Sequence, residues 1–473
     1  MNIFRNKLPK NLFRNIYYAF LAQSISLLLN IVMSLVVPKI LGVTEYSYWQ
    51  LYVFYVGYVG FFHFGLNDGI YLRLGGQKYK EINHSLLGTQ LKLLLILEVT
   101  ISSIMAIVGV NFIEDPNRQF IIIMAGIYLV LANITLYLGY IFQAVNKTKV
   151  FSMSVLIDRC FVLMSIFILM FLNTQQFQFF VIVYLTSKIL SLIYCGYLGR
   201  DIVLAKWFNI GQAIKEMWIN ISIGIKLVIA NIASMLILGS GRFIIDKIWG
   251  VTAFGKVSLS ISLTNFFLVF IAQTSMVLFP TLRRIEKGQL TKIYLIMREL
   301  LGVFLPIVFL TYFPIMLLLE KWLPDYKESL HYLILLLPLC TFDGKMQLLC
   351  NTFFKVLRKE KILLVNNILS MTLSIVLSTI CGYIFHSITL VILAIVVSVA
   401  VRGILSDIYL AKLMNRPIIS NLIGEIVIVV IFIYSAWYLS PGLAFLIFFA
   451  SYIVYLIINI KTIKQLSRYV FQR

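Results

Sequence analysis

Lysine and arginine side chains occur inside long apolar stretches of this sequence. A charge at the centre of a bilayer costs at least about 2.5–3.5 kcal/mol, so each is expected to face water or the protein interior. Arginine offers a planar fork to phosphate and lysine a mobile point charge, so the set suits an anionic ligand. The predicted binding residues are Arg402, Lys188, Lys226, Arg159, Lys92 and Lys345; Lys39 and Arg242, near stretch ends, are expected to reach the membrane surface.

Acidic residues lie in the same stretches and have two interpretations. They are Asp68, Glu98, Asp158, Asp246, Asp343 and Asp407. Asp158, Glu98 and Asp68 are candidates for coupling ligand movement to protons or sodium, or they balance neighbouring cations. Arg242 and Asp246 are four residues apart and are expected to pair along a helix. Asp343 and Lys345 lie near the middle of a span and are expected to neutralise one another through neighbouring helices, unless Lys345 lines the cavity.

The elements that carry these charges are predicted to be membrane-spanning helices. Of the 473 residues, 61% are hydrophobic and 12% are charged, which leaves no segment for a soluble domain. A helix needs about 20 apolar residues to cross the hydrocarbon core. The sequence predicts an all-α protein with fourteen spans, at 15–41, 46–71, 85–112, 119–144, 150–172, 177–199, 219–245, 254–282, 294–319, 330–354, 362–385, 388–410, 418–439 and 442–460.

The distribution of loop cations predicts the orientation of these spans. With a cytoplasmic N-terminus, 27 lysines and arginines fall in inner segments and 5 in outer loops. Cytoplasmic loops are enriched in such residues, so both termini are predicted to be cytoplasmic. The net charge of +21 is thereby explained by membrane orientation rather than by nucleic-acid binding.

Two pairs of similar segments indicate an internal duplication. KILGVT at 39–44 recurs as KIWGVT at 247–252, and FQAVNKTKV at 142–150 matches FKVLRKEKI at 354–362. Both copies of the first string are predicted at the outer end of a span, so the two halves run in the same direction, as in transporters with parallel repeats. The glycine of each string is expected at a turn between spans. Lys188 and Arg402 then occupy similar places in the last span of each half.

Other kinds of chemistry are not indicated. The five cysteines lie singly in apolar spans and the four histidines are dispersed, so no metal site is predicted. The glycines at 65–76 lack the spacing of a nucleotide-binding loop. No cofactor is predicted, although proton or sodium coupling stays open.

Three short segments carry a resemblance to a known family. PKILGVTEY at 38–46, FFHFGLNDG at 61–69 and RLGG at 73–76 resemble bacterial Wzx-like O-antigen and capsule flippases. These form the polysaccharide transport family of the multidrug/oligosaccharidyl-lipid/polysaccharide (MOP) exporter superfamily. The resemblance implies an N-terminal six-helix lobe at 1–217, a C-terminal six-helix lobe at 218–416, and two further helices with a basic cytoplasmic tail at 417–473.

The resemblance also implies the activity. The expected cargo is an undecaprenyl-pyrophosphate-linked oligosaccharide, a repeat unit of O-antigen lipopolysaccharide or capsule. It would move from the inner to the outer leaflet of the bacterial cytoplasmic membrane by alternating access through a cationic cavity. The implied partners are membrane lipids, a polysaccharide polymerase and glycosyltransferases.

Two other functions compete with this one. A drug or metabolite cation antiporter of the same superfamily predicts a cavity dominated by acids, whereas the spans contain eight cations and six acids by this assignment. A polysaccharide polymerase or ligase would be expected to have a large outer loop with catalytic residues. The longest predicted outer segments are only about ten residues long, so an enzyme is not predicted.

Overall fold

The structure, a computed structural model, describes residues 10–282, 287–414 and 419–460, and all regular structure within these ranges is helical. A helix satisfies its own backbone hydrogen bonds, which a segment in hydrocarbon requires. The predicted all-α fold is therefore confirmed for the described residues. The chain divides into two compact units, Met1–Ile232 and Ala233–Arg473, each described by itself.

Unit 1 contains eight helices and the beginning of a ninth. They are α1 Lys10–Leu35, α2 Val37–Tyr58, α3 Leu66–Leu74, α4 His84–Phe112, α5 Pro116–Ala144, α6 Thr148–Phe171, α7 Phe177–Leu198, α8 Arg200–Val203 and the start of α9, Ile210–Leu282. A 3₁₀ turn, Val59–Phe61, extends α2. Helix α5 packs against α2, α3, α4, α6 and α7, so it lies at the centre of these five helices.

Unit 2 contains the rest of α9 and nine further helices. They are α10 Lys287–Phe304, α11 Val308–Trp322, α12 Lys327–Leu336, α13 Leu339–Lys345, α14 Asn351–Val356, α15 Glu360–Thr379, α16 Ile388–Leu413, α17 Ile419–Tyr438 and α18 Pro441–Ile458. Two π-helical segments, Met346–Cys350 and Ile380–Ile384, interrupt the regular α-helix. Helix α16 packs against α12, α13 and α15.

The described helices are those expected of a multi-pass membrane protein. Nine are long and apolar enough to cross a membrane, or eleven if each sharply bent pair forms one span. Large apolar side chains such as Phe112 and Phe171 are 79% and 88% exposed, as expected for surfaces that contact lipid. The number of fourteen spans and the lobe boundaries at 217 and 416 stay predictions. Several cations of the orientation count lie outside the described residues: Arg5, Lys7, Arg283, Arg284, Arg416, Lys461, Lys464, Arg468 and Arg473.

Local sequence determines where several helices begin. The side chain of Asn83 accepts a hydrogen bond from the Leu86 amide at 3.0 Å at the start of α4. Asp115 does the same for the Asn117 amide at 2.8 Å, ahead of the proline that opens α5. Such caps satisfy backbone donors that have no partner within the helix.

The duplicated string has the same backbone conformation in both copies. Gly42 lies within α2 at φ 68° and ψ 179°, and Gly250 lies within α9 at φ 80° and ψ 179°. This region is accessible almost only to glycine, and it breaks the helix at that point. Each glycine of the string is therefore a non-helical break, while the prediction that it joins two spans stays a prediction.

A very close approach joins α3 to the first part of α9 within unit 1. A Cβ atom added to Gly224 would lie 1.9 Å from the carbonyl oxygen of Gly65, and one added to Gly69 would lie 1.9 Å from that of Asn220. Beside this contact, Arg73 pairs with Glu216 at 2.8 Å and donates to Asn220 Oδ1 at 2.8 Å. The two backbones can meet only because both helices present glycine.

We expect Gly69→Ala to destabilise the purified protein by about 3 kcal/mol, since its methyl group meets backbone rather than a movable side chain. The matched control is Gly196→Ala, because a Cβ there meets no atom within 4 Å. The control is expected to be neutral or stabilising by about 0.5–1 kcal/mol, the helix preference for alanine. The measurement is denaturant unfolding of both variants, and equal stability would contradict the close approach.

Candidate functional site

A cluster of charges lies in unit 1 near the middle of α6 and α7. Lys188 Nζ on α7 is 2.8 Å from Oδ2 of Asp158 on α6. The Ser187 hydroxyl donates to Oδ1 of the same carboxylate at 2.7 Å. Asp158 is only 4% exposed, so its charge is held by direct partners rather than by bulk water.

Arg159 adds a second cation to the same carboxylate. Its Nε lies 3.9 Å from Asp158 Oδ2, and this nitrogen has no hydrogen-bond partner among the described residues. The Arg159 side chain is 36% exposed and that of Lys188 is 18% exposed. Two cations therefore share one acid, so the cluster has one positive charge in excess. The Arg159 guanidinium can bind a further anion.

Aromatic rings surround these cations. Lys188 Nζ lies 5.9 Å from the ring centre of Tyr128 on α5. Tyr184 on α7 lies edge-on to Trp49 at 4.8 Å and 6.4 Å from Tyr52, both on α2. The Tyr52 hydroxyl is buried and has no hydrogen-bond partner within the described chain. The cluster thus combines an excess cation with large ring faces, an arrangement suited to an anion attached to a bulky group.

Unit 2 contains a second group of charges, which is fully buried. Arg298 Nε on α10 lies 2.9 Å from Asp407 Oδ2 on α16, and its Nη2 lies 3.9 Å from Glu425 Oε1 on α17. Lys345 on α13 forms an ion pair with Glu425 and lies 3.6 Å from Asp407. The Tyr294 hydroxyl donates to Asp407 Oδ1 at 2.7 Å. We call Arg298, Lys345, Asp407 and Glu425 the unit 2 network.

A further ion pair lies in unit 2, outside the unit 2 network. Arg402 on α16 forms an ion pair with Asp343 on α13 and donates to the Ser234 hydroxyl at 2.7 Å. The second oxygen of Asp343 accepts from Gln347 at 2.7 Å. This pair and the unit 2 network together comprise three cations and three acids, so these groups have no excess charge to offer a ligand. Of the cations predicted to bind substrate, Arg402 and Lys345 are thus already paired.

The remaining predicted residues have varied surroundings. Lys92 donates to the carbonyl of Ala205 at 2.6 Å and lies over the Trp207 ring, so it fixes the segment after α8. Lys226 is exposed on α9. Asp68 lies near the start of α3, 3.8 Å from His63 Nε2. Glu98 is completely buried on α4 and accepts a hydrogen bond from Asn133 at 2.8 Å.

Sequence reasoning missed two members of the unit 2 network. The 27 inner cations of the orientation count include Arg298 as a loop residue, which is wrong, because Arg298 lies inside α10 and is 1% exposed. Glu425 was omitted from the intramembrane acids although it lies within the predicted span 418–439. The available signal was that Glu425 is a single acidic residue in an apolar stretch. Within the described residues, no group of three or more His, Cys, Asp or Glu could hold a metal.

The fold is that of MOP superfamily exporters. The lipid II flippase MurJ in an inward closed conformation is similar with a TM-score of 0.64 and 13% identity, covering 95% of this chain and 100% of that one. A multidrug resistance MATE family transporter of the MOP superfamily is similar in its inward-facing conformation at 0.63, with 14% identity over 83% and 94% of the chains. An outward-facing MATE structure has a TM-score of 0.54 at 13% identity, over 84% and 95%.

This fold, with its long apolar helices, is that of a multi-pass membrane protein, and a family comparison adds to this. The model of the polysaccharide biosynthesis protein family matches residues 12–286, and the chain belongs to this family. A comparison with curated protein sequences gives no match.

Proposed function

We propose that this protein is a flippase for an undecaprenyl-pyrophosphate-linked oligosaccharide, a repeat unit of O-antigen or capsule. It moves this lipid from the inner to the outer leaflet of the bacterial cytoplasmic membrane by alternating access. Family membership supports a role in polysaccharide synthesis. The observation that carries the proposal is the excess cation at Arg159 beside Asp158 and Lys188.

The chemistry of the cargo explains why an excess cation is needed. A diphosphate cannot enter hydrocarbon without replacement of its hydration, because an isolated charge in an apolar medium is very costly. A guanidinium forms paired, charge-assisted hydrogen bonds with phosphate oxygens. Arg159 lies eleven residues into α6, so the cluster is about 16 Å along the helix from its start, near the middle of a span. Transporters commonly hold their cargo at this depth.

Lys188 and Asp158 have a supporting role in this proposal. Lys188 already neutralises Asp158 at 2.8 Å, so the carboxylate repels an incoming phosphate less strongly. The partly exposed rings of Tyr128 and Tyr184 provide faces for the sugar, and the prenyl chain stays in the surrounding lipid. Orientation with both termini in the cytoplasm and cooperation with glycosyltransferases and a polymerase belong to the same proposal.

The alternative is a drug or metabolite cation antiporter, and one observation favours it: Glu98 is an acid without a cationic partner among the described residues. However, Glu98 is 0% exposed, so it is not at a surface that a drug-sized cation can contact in this structure. The exposed part of the charge cluster is cationic instead. We therefore place the flippase first.

The test is reconstitution of the full chain in vesicles with two cargoes. One is a polyprenyl-diphosphate oligosaccharide whose exposure on the outer leaflet is read with a lectin. The other is a fluorescent organic cation. Movement of the lipid-linked sugar alone supports the proposal, whereas movement of the cation alone establishes the antiporter.

A further inference from the structure

The described part of unit 2 contains a small polar cavity between α10, α17 and α18. Its volume is about 210 Å³, whereas pockets for drug-sized ligands usually measure about 300–1,000 Å³, so it suits a smaller polar group. The residues that line it include Arg298, Glu299, Gly302, Glu425, Tyr455 and Asn459. Arg298 and Glu425 belong to the unit 2 network. Glu299, Tyr455 and Asn459 are half-buried, so the cavity is open to the surface at their side.

The cavity contains a hydrogen-bond donor that the protein does not use. Arg298 is 1% exposed, and its Nη2 has no hydrogen-bond partner among the described residues. Glu425 Oε1 lies 3.9 Å from this nitrogen, which is too far for a hydrogen bond. A buried charged donor without a partner is costly. A ligand with an acceptor oxygen would supply the missing partner.

The same cavity contains a carboxylate that is not neutralised. Glu299 forms no ion pair or hydrogen bond with a described residue. Because the unit 2 network is balanced in itself, Glu299 gives the cavity one negative charge in excess. A ligand that carries only an anion is therefore disfavoured, and a ligand that carries only a cation would leave Arg298 Nη2 unused.

The cavity lies near the predicted inner ends of two spans. Glu299 is five residues after the predicted start of the span at 294–319, and Asn459 is one residue before the predicted end of the span at 442–460. At 1.5 Å per helical residue, both lie within about 8 Å of those ends. The neighbouring Ile458 is 73% exposed, as expected of a side chain that contacts lipid. A phospholipid of the inner leaflet can therefore reach the cavity with its headgroup and keep its acyl chains in the bilayer.

We propose that this cavity binds the phosphoethanolamine headgroup of a membrane phospholipid. The phosphate accepts a hydrogen bond from Arg298 Nη2, and the primary ammonium donates to the Glu299 carboxylate. The Asn459 amide nitrogen already donates to the Tyr455 carbonyl at 2.8 Å, so the side-chain oxygen of Asn459 is left for the ammonium. A phosphoglycerol headgroup has no cation for Glu299, and the quaternary ammonium of phosphocholine has no N–H to donate.

The cargo of the proposed function does not suit this cavity. A diphosphate would bring further negative charge beside Glu299, and an oligosaccharide is larger than the space. The phospholipid site therefore does not depend on the flippase proposal. A lipid-binding measurement tests it whatever the protein transports.

The experiment is native mass spectrometry of the purified, delipidated full chain with three lipids of identical acyl chains at equal concentrations. They are phosphatidylethanolamine, phosphatidylglycerol and phosphatidylcholine. Phosphatidylethanolamine should be the first lipid bound, with a preference of about tenfold or more over each of the others, as one charge-assisted hydrogen bond provides. Glycerophosphoethanolamine, the same headgroup without acyl chains, should not displace the lipid at equal concentration.

Variants of two lining residues test the assignment. Glu299→Gln keeps the shape of the side chain and should abolish the preference. Asn459→Leu keeps every charge but puts an apolar side chain at the cavity, and it should weaken binding of phosphatidylethanolamine by about tenfold. The matched control is Glu320→Gln, which removes another half-buried acid of unit 2, on α11 and outside the cavity, and should keep the full preference.

Four results would count against the proposal. Equal binding of the three lipids would mean that they cover the protein surface without a specific site. A full preference in Glu299→Gln would place the headgroup elsewhere. Displacement by glycerophosphoethanolamine at equal concentration would assign the cavity to a soluble ligand. If Glu299→Gln does not fold, Asn459→Leu decides: unchanged binding of phosphatidylethanolamine would contradict the site, and a tenfold loss would support it.

Discussion

An Arg159→Gln variant is expected to assemble in the membrane and to lose about 10- to 100-fold of its transport of lipid-linked oligosaccharide. The change removes a charge-assisted contact worth about 1.5–3 kcal/mol to a phosphate. It leaves Asp158 paired with Lys188 at 2.8 Å, so no buried acid is left without a cation. The measurement is the rate of lectin-detected flipping in vesicles, normalised to the amount of inserted protein.

The matched control is Arg200→Gln, since Arg200 is exposed at the start of α8 and outside the cluster. This variant should transport at the unmodified rate. Arg159→Lys should lie between the two, because lysine keeps the charge but loses the fork. Arg159→Gln transporting as fast as the control would contradict the assignment of Arg159 to the cargo.

The second large effect is expected in the unit 2 network, on stability. Glu425→Gln removes the partner of Lys345 and leaves a buried ammonium group with Asp407 alone, 3.6 Å away. Breaking a buried ion pair in this way costs about 3–5 kcal/mol. Denaturant unfolding of the purified protein should show this loss.

Two further variants test the physical reason. Replacing both partners, Lys345→Met with Glu425→Leu, removes equal and opposite charges and leaves Arg298 with Asp407 at 2.9 Å. The double variant should recover most of the lost stability, because apolar replacement of a buried pair is often neutral. Glu328→Gln is the control; its pair with Lys256 is exposed and worth about 1 kcal/mol or less. A loss in Glu425→Gln no larger than in Glu328→Gln would contradict the network.

The sequence was sufficient for the features that depend on local residue types. Long apolar runs predicted the helices, and the glycines of the repeated string predicted the breaks at Gly42 and Gly250. Both follow from interactions within a few residues of each other, namely the demands of hydrocarbon on the backbone and the conformational freedom of glycine.

The partners of buried charges could not be predicted in the same way. Arg159 and Arg402 look alike in sequence, since both lie near the middle of an apolar stretch. Arg402 pairs with Asp343, 59 residues away, whereas Arg159 shares Asp158 with Lys188. Lys92 likewise contacts a carbonyl 113 residues along the chain. Such pairings are set by helix packing, and the sequence pattern within each span does not record which helix faces which.

The excess cation at Arg159 is tested most directly by lipid binding to the purified protein. We would measure the affinity for undecaprenyl diphosphate and for the uncharged alcohol undecaprenol, with and without Arg159→Gln. The diphosphate should bind about 100-fold more tightly than the alcohol to the unmodified protein, a difference of about 2.7 kcal/mol. Most of this preference should disappear in the variant. Equal affinities for the two lipids, or a preference that survives Arg159→Gln, would contradict a diphosphate site at this cluster.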